Sequence, residues 1–151
     1  MNMPVADVDV GALLSKRRVI AVVGLSRNPS KDSYRVAEYL KSRGHRIIPV
    51  NPFASEILGE RAYPSLSAVP EELKQQIDII DIFRPSSDVL PVVEEAVEIR
   101  KKYGKPDVIW MQEGIVNEEA ADLARKAGMK VIMDLCIMTE SKKLEKLEFM
   151  V

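Results

Sequence analysis

The chain is poor in the residues that catalysis most often recruits. Its 151 residues include one cysteine, Cys136, and one histidine, His45. A single thiol excludes an internal disulfide framework and any multi-cysteine metal site, and it suits a reducing cytoplasm. A single imidazole leaves no His-rich zinc centre and no partner pair for nucleophilic catalysis. No catalytic residue and no metal ligand is therefore assigned. Charge of one sign is missing too, with 22 Lys and Arg against 23 Asp and Glu. That balance gives no overall field for a nucleic-acid backbone or an anionic membrane, so any anion must be gripped by local charges and backbone N–H groups. Long apolar runs are also absent: Val19–Val23 and Ile79–Ile80 stop far short of a bilayer span. Met1 to Gly11 carries Asp7 and Asp9 and lacks the basic end and apolar run of a signal peptide. The expectation is a soluble, cytoplasmic protein with no nucleic-acid and no membrane partner.

What is present is ordinary globular material, 46% hydrophobic and 30% charged, in a length that suits one domain and one core. Short apolar runs alternate with longer amphipathic stretches, as in parallel strands joined by helices. Val19–Val23 is a β-branched run ending at Gly24, and Ile47–Val50 is a second strand ending at Asn51 and Pro52. Pro49 donates no ladder hydrogen bond and belongs near a strand end or beside a less paired neighbour. Between these strands, Tyr34, Val36, Ala37, Tyr39 and Leu40 recur at helical spacing until Gly44. After a less regular stretch, with a short strand near Arg61–Tyr63 and a helical turn opened by Pro70, a third strand runs from Ile77 to Phe83. A helix capped by Ser87 follows, then a strand at Val108–Met111, a helix opened by Asn117 and ended by Gly128, and a last strand at Val131–Met133. Thr139 to Val151 reads as a charged tail helix with Leu144 and Leu147 facing inward. The sum is a single α/β domain, doubly wound and Rossmann-like, with a mostly parallel five- or six-stranded sheet and helices on both faces. Its core spans about residues 18–137, with N- and C-terminal helical extensions.

In such sheets, ligands bind beyond the carboxyl ends of the strands, where strand order reverses. The turn from Gly24 to Ser33 lies there. Gly24 lets the backbone turn sharply, and the following helix start offers N–H groups to an anion beside Arg27, Lys31 and the hydroxyls of Ser26, Ser30 and Ser33. Tyr34, one residue further on, joins this set. A phosphate or diphosphate suits the turn better than a merely capped, solvated helix start. The usual dinucleotide fingerprint is not met, because Ser26 and Pro29 stand where it wants glycines. The second strand also ends in Asn51 rather than an acid for a ribose diol. NAD is thereby excluded, while Arg27 and Lys31 leave NADP open through its phosphorylated ribose. Phe83, Arg84 and Pro85 either stack on a base and guide a phosphate, or are core and surface, with Asn51 and Pro52 as the neighbouring wall. Gln112, Glu113 and Gly114 form the next edge, Glu113 as a hydrogen-bonding or capping residue for want of a second catalytic group. Trp110 and Cys136 read as packing residues. His45 reads as a surface residue at the far end of the sheet.

Five motifs stand together in this order: Val-Gly-Leu-Ser-Arg-Asn-Pro-Ser-Lys at 23–31, Val-Asn-Pro at 50–52, Phe-Arg-Pro at 83–85, Trp-Met-Gln-Glu-Gly-Ile at 110–115 and Met-Asp-Leu-Cys at 133–136. Through them the chain closely resembles the small stand-alone CoA-binding proteins of bacteria and archaea. Those proteins are similar to the N-terminal domain of the succinyl-CoA synthetase α subunit and of ADP-forming acyl-CoA synthetases. The resemblance implies coenzyme A as ligand. Gly24, Ser26, Arg27 and Lys31 would match the phosphate-cradling turn, and Asn51 and Pro52 the wall after the second strand. Phe83, Arg84 and Pro85 would flank the nucleotide and pantetheine arm, and Gln112, Glu113 and Gly114 would match the next turn. The synthetases add a phosphohistidine domain and an ATP-handling domain, for which nothing here substitutes. The expectation is a non-catalytic carrier, sensor or accessory module for CoA or an acyl-CoA, partnered by a second copy or an acyl-CoA enzyme. An NADP-dependent oxidoreductase is the alternative.

Overall fold

The computed structural model describes residues 4–150. Six strands form one sheet: β1 (Val5–Ala6), β2 (Val19–Val23), β3 (Arg46–Val50), β6 (Ile79–Ile82), β7 (Val108–Met111) and β8 (Lys130–Met133). Their order is β1-β8-β7-β6-β2-β3, and only β1 runs antiparallel to its neighbour. The helices are α1 (Val10–Leu14), α2 (Asp32–Ser42), α3 (Glu71–Lys74), α4 (Val89–Tyr103), α5 (Glu118–Lys126) and α6 (Ile137–Met150). This is the doubly wound α/β domain expected, with six strands in its sheet.

Period-two alternation divides the core. Ile20 and Val22 of β2, with Ile79, Trp110 and Ile132, face Leu13, Val36, Ala37, Leu40 and Ile137 of α1, α2 and α6. Ala21 and Val23, with Ile80, Ile82, Ile109 and Met111, face Val93, Ala96, Ala120 and Ala124 of α4 and α5. Both faces being covered explains why the strands are continuously apolar. Each fully buried Leu or Ile contributes roughly 1.5–3 kcal/mol relative to exposure. Trp110 is a packing residue, as expected, and its indole N–H also donates to the Leu135 carbonyl at 2.8 Å. That bond ties the chain leaving β8 to the centre of the sheet.

β2 pairs on one side with β3 (Val23 opposite Val50) and on the other with β6 (Val23 opposite Ile82). The chain moves outward in both directions from β2, so the topological switch lies at its carboxyl end, between the loops after β2 and β6. Pro49 sits one residue before the end of the outermost strand β3.

Several local expectations need correction. β1 was not foreseen; its two residues form a strand only because β8 offers an edge. The short strand expected near Arg61–Tyr63 is instead a two-residue hairpin of β4 (Glu56–Ile57) and β5 (Glu60–Arg61), with Tyr63 bridging singly to Val50. Ser87 does not cap α4. It lies in a 3-10 turn over Ser86–Asp88, and no side chain caps the helix at Asp88. Leu144 packs inward as expected, whereas Leu147 is 61% exposed, because only the first half of α6 lies against the body. Val151 lies outside the described residues.

His45 stands just before β3 at the far end of the sheet, as expected, but it is buried rather than on the surface. Its Nδ1 accepts the Arg18 backbone N–H at 3.0 Å, which satisfies a donor the fold would otherwise strand. Burial, then the nearby Arg18, Arg43 and Arg17, hold its pKa below the usual imidazole value. It is a structural acceptor.

Candidate functional site

The loop after β2 is built from its own side chains. The Ser33 hydroxyl accepts the Ser26 N–H at 2.9 Å, the Ser26 hydroxyl accepts the Asn28 N–H at 3.0 Å, and the Asn28 carboxamide oxygen accepts from the N–H and hydroxyl of Ser30 at 3.0 and 2.8 Å. These short-range bonds give polar loop residues the partners that water would otherwise supply. Ser26 and Ser33 thus shape the loop from within. No side chain caps the start of α2 at Lys31, so N–H groups of its first turn lack an intrahelical acceptor. Gly24 is required by contact as well as by conformation. Its φ is +86°, and a Cβ there would stand 2.3 Å from the Phe83 carbonyl oxygen. The loops after β2 and β6 therefore touch through Gly24. The Arg84 stem passes alongside, its Cδ 3.5 Å from that Cβ position.

Three cations lie on these two loops. Arg27 and Lys31 are exposed and Arg84 is half-buried. Among the described residues, none of the three side chains has a hydrogen-bond or ion-pair partner. Asp32, the nearby acid, is instead paired with Arg35, whose guanidinium also donates to the Ser30 carbonyl at 3.0 Å. The rim thus presents uncovered positive charge and uncapped N–H groups together, which is how proteins hold phosphate oxygens.

Asn51 holds two loops together. Its Nδ2 donates to the Leu25 carbonyl at 2.9 Å and its Oδ1 accepts the Phe53 N–H at 2.6 Å. It braces the loop after β2 against the turn after β3. Pro52 is exposed on that turn.

Below the rim lies a cleft of about 330 Å³, lined by Asp32, Arg35, Val36, Phe83, Gln112, Glu113, Ile115, Cys136 and Met138. Phe83, Gln112 and Glu113 were expected at the site. Gly114, with φ +83°, donates its N–H to the Asp134 carboxylate at 2.6 Å, and Asp134 holds the left-handed conformation at φ +61°. Ser86 links the loops after β6 and β7 by accepting the Val116 N–H at 3.0 Å. Asn117 caps α5 as expected, accepting the Ala120 N–H at 2.9 Å. The cleft walls are therefore cross-braced from strand to strand.

Gln112 is buried although it lines the cleft. Its amide N–H donates to Asp81, and its carbonyl accepts the Ile137 N–H at 3.3 Å. Asp81 is fully buried in β6, and its second carboxylate oxygen has no partner among the described residues. Burial pushes its pKa up to about 7, against a smaller lowering by Gln112. Nothing in the run Ile77 to Phe83 singles out this acid, because strand alternation puts Asp78 and Asp81 on opposite faces without saying how each is partnered once buried. Arg35 and Val36 were likewise missed, although they follow Asp32 at the i+3 and i+4 spacing that shares a helix face. Ile115 and Met138 come from separate connections and meet only through the topology.

Residues 18–142 match the family described as CoA binding domain. The Bacillus subtilis protein YneT is 40% identical over 129 residues, covering 85% of this chain and 89% of that protein. The solved structure of cell-free ID.343 from Thermus thermophilus is 37% identical with a TM-score of 0.78, covering 88% of this chain and 94% of that one. The α subunit of acetate–CoA ligase (ADP-forming) II from Pyrococcus furiosus is 30% identical over 80% of this chain, but only 27% of the subunit is matched. The chain thus spans about a quarter of that ligase subunit.

Proposed function

Because the chain belongs to the family of CoA-binding domains, we propose that it binds coenzyme A, or an acyl-CoA, along the carboxyl edge of its sheet. One observation carries this reading: three cations without partners and an uncapped helix start lie on the loops after β2 and β6, whose residues Asp32 and Phe83 also line a partly apolar cleft. The phosphates of CoA suit the first feature, and its thin pantetheine arm suits the second. Arg27, Lys31, Arg84 and the first-turn N–H groups of α2 hold the phosphates. Phe83, Gln112, Cys136 and Met138 enclose the arm. Ser26, Ser30, Ser33 and Asn51 keep the loop in the shape that receives it.

The same reading makes the chain a carrier, sensor or accessory module with no ligase activity of its own. It is supported by His45, which sits at the opposite sheet end with Nδ1 engaged. The partner is a second copy or an enzyme of acyl-CoA chemistry, with Leu147, Phe149 and Met150 offering exposed apolar surface at the end of α6. Among the described residues no helix is long and apolar enough to cross a membrane.

Thermal unfolding with and without CoA tests this reading. A ligand at 100 times its Kd stabilises the fold by about 2.7 kcal/mol, a shift of several degrees for a domain of this size. NADP at equal concentration is expected to give no comparable shift. An unchanged Tm at millimolar CoA, or a shift with NADP alone, would overturn the assignment.

A further inference from the structure

Phe53 is 84% exposed, and the other large apolar side chains so exposed among the described residues, Leu147, Phe149 and Met150, all lie on the last turns of α6. An isolated exposed apolar residue is unremarkable by itself. Phe53 differs in how its turn is held. Asn51 folds the chain back by accepting the Phe53 N–H at 2.6 Å, while its other amide atom grips the Leu25 carbonyl at 2.9 Å. The Asn51 N–H donates in turn to the Tyr63 carbonyl at 2.9 Å. The next residue, Ala54, packs against the core layer that contains Val36, as Phe83 does. The ring is therefore mounted on a braced turn, tied directly to the phosphate loop and on the α2 side of the sheet.

In doubly wound folds, the end of the strand beside the first one is where the ribose and base of a nucleotide lie, and an acid there commonly grips the ribose diol. Here Asn51 occupies that position with both amide atoms engaged inside the protein. Recognition at this end falls to whatever else the turn offers, and it offers a flat, solvated ring. A purine has a face to match and loses unfavourable hydration when it covers one.

We propose that Phe53 is a ligand-binding residue that stacks on the purine of the bound nucleotide, so that the site holds the base by its face. The inference rests on the CoA reading of the rim and names the element that holds the end of the ligand farthest from the thiol. Stacking of this kind is sequence-tolerant, so a guanine analogue of CoA would be accepted nearly as well as CoA itself.

Isothermal titration of the full chain and of Phe53→Ala with CoA, adenosine 3′,5′-bisphosphate and pantetheine tests it. Loss of the ring is expected to weaken CoA and the bisphosphate roughly tenfold to a hundredfold, the range seen when stacking platforms lose an aromatic. Pantetheine, which has no purine, is expected to bind both proteins alike. Phe53→Leu, which keeps the apolar surface without the ring, is expected to lose most of the same affinity. Because the side chain is exposed, both variants should unfold at the wild-type Tm. If the unaltered chain takes up CoA and Phe53→Ala takes it up equally well, the stacking inference fails and the CoA reading stands. A Phe53→Leu variant with wild-type affinity overturns the stacking inference too. If the unaltered chain takes up no CoA, the CoA reading itself has failed.

Discussion

At the amino ends of the strands, His45 accepts the Arg18 N–H, the Arg18 guanidinium donates to the Leu13 carbonyl at 2.7 Å, and buried Asp78 accepts the Val19 N–H at 2.8 Å while pairing with Lys105. At the carboxyl ends, Arg27, Lys31 and Arg84 hold no partner among the described residues, and α2 begins without a side-chain cap. The two edges belong to one sheet and carry similar residue types. Their polar groups are used differently: those of the amino edge close the fold, whereas those of the carboxyl edge remain available. Substitutions should therefore separate by edge, with stability lost at one and ligand affinity at the other.

Gly24→Ala should break that separation, because Gly24 serves both roles. The left-handed backbone and the clash with the Phe83 carbonyl oxygen should cost on the order of 4 kcal/mol in urea unfolding, with CoA binding lost as the two loops part. Asp78→Ala should sharpen it. Leaving the Val19 N–H buried without an acceptor should cost about 3 kcal/mol. The CoA affinity of the folded fraction should remain at the wild-type value.

Asp81 lies between these extremes, inside the sheet but bonded to a cleft residue. Its pKa is raised to about 7 in the folded chain, while the unfolded chain has the ordinary carboxylate value near 4. Between those values the folded protein holds a proton that the unfolded chain has released. Stability should accordingly fall as pH rises from about 4 to about 7 and change little from this group above that. The full loss is on the order of a few kcal/mol. Asp81→Asn stays neutral at every pH, so its urea midpoint relative to wild type should rise between pH 5 and pH 8. Parallel midpoints would show that Asp81 is ionised throughout.

Arg27→Ala should act on affinity alone, weakening CoA about tenfold in titration while leaving the ligand-free Tm within a degree or two. The smallest effect concerns Cys136, which lines the cleft and is half-buried. Incubation with CoA disulfide should let its thiolate displace one CoA thiol and add one CoA mass by intact-protein mass spectrometry, without changing the fold. An unmodified mass would place the arm away from this wall.

The parts of this account that were legible beforehand were local. Val19–Val23 and Val108–Met111 announce themselves as strands through continuous apolar runs, and their observed bounds agree with the reading. Gly24 and Phe83 were marked as site residues by position after a strand, although their mutual contact was not visible. What escaped depended on distant partners. Val5–Ala6 is a strand only against β8, and the partner of buried His45 is the Arg18 N–H, 27 residues away in the chain. The bracing of two loops by Asn51 was not visible either, because it depends on the distant Leu25 carbonyl as well as on the nearby Phe53 N–H. Asp81 was hidden because period-two alternation places a residue on a face without saying how deeply that face is covered.

A structure of the complex with CoA would locate every phosphate and the arm at once. Phosphate oxygens are expected against the start of α2 with Arg27 and Lys31 closed over them, and the arm descending past Phe83 towards Gln112 and Cys136. A well-ordered CoA bound at the amino edge, with the start of α2 facing only solvent, would contradict this placement.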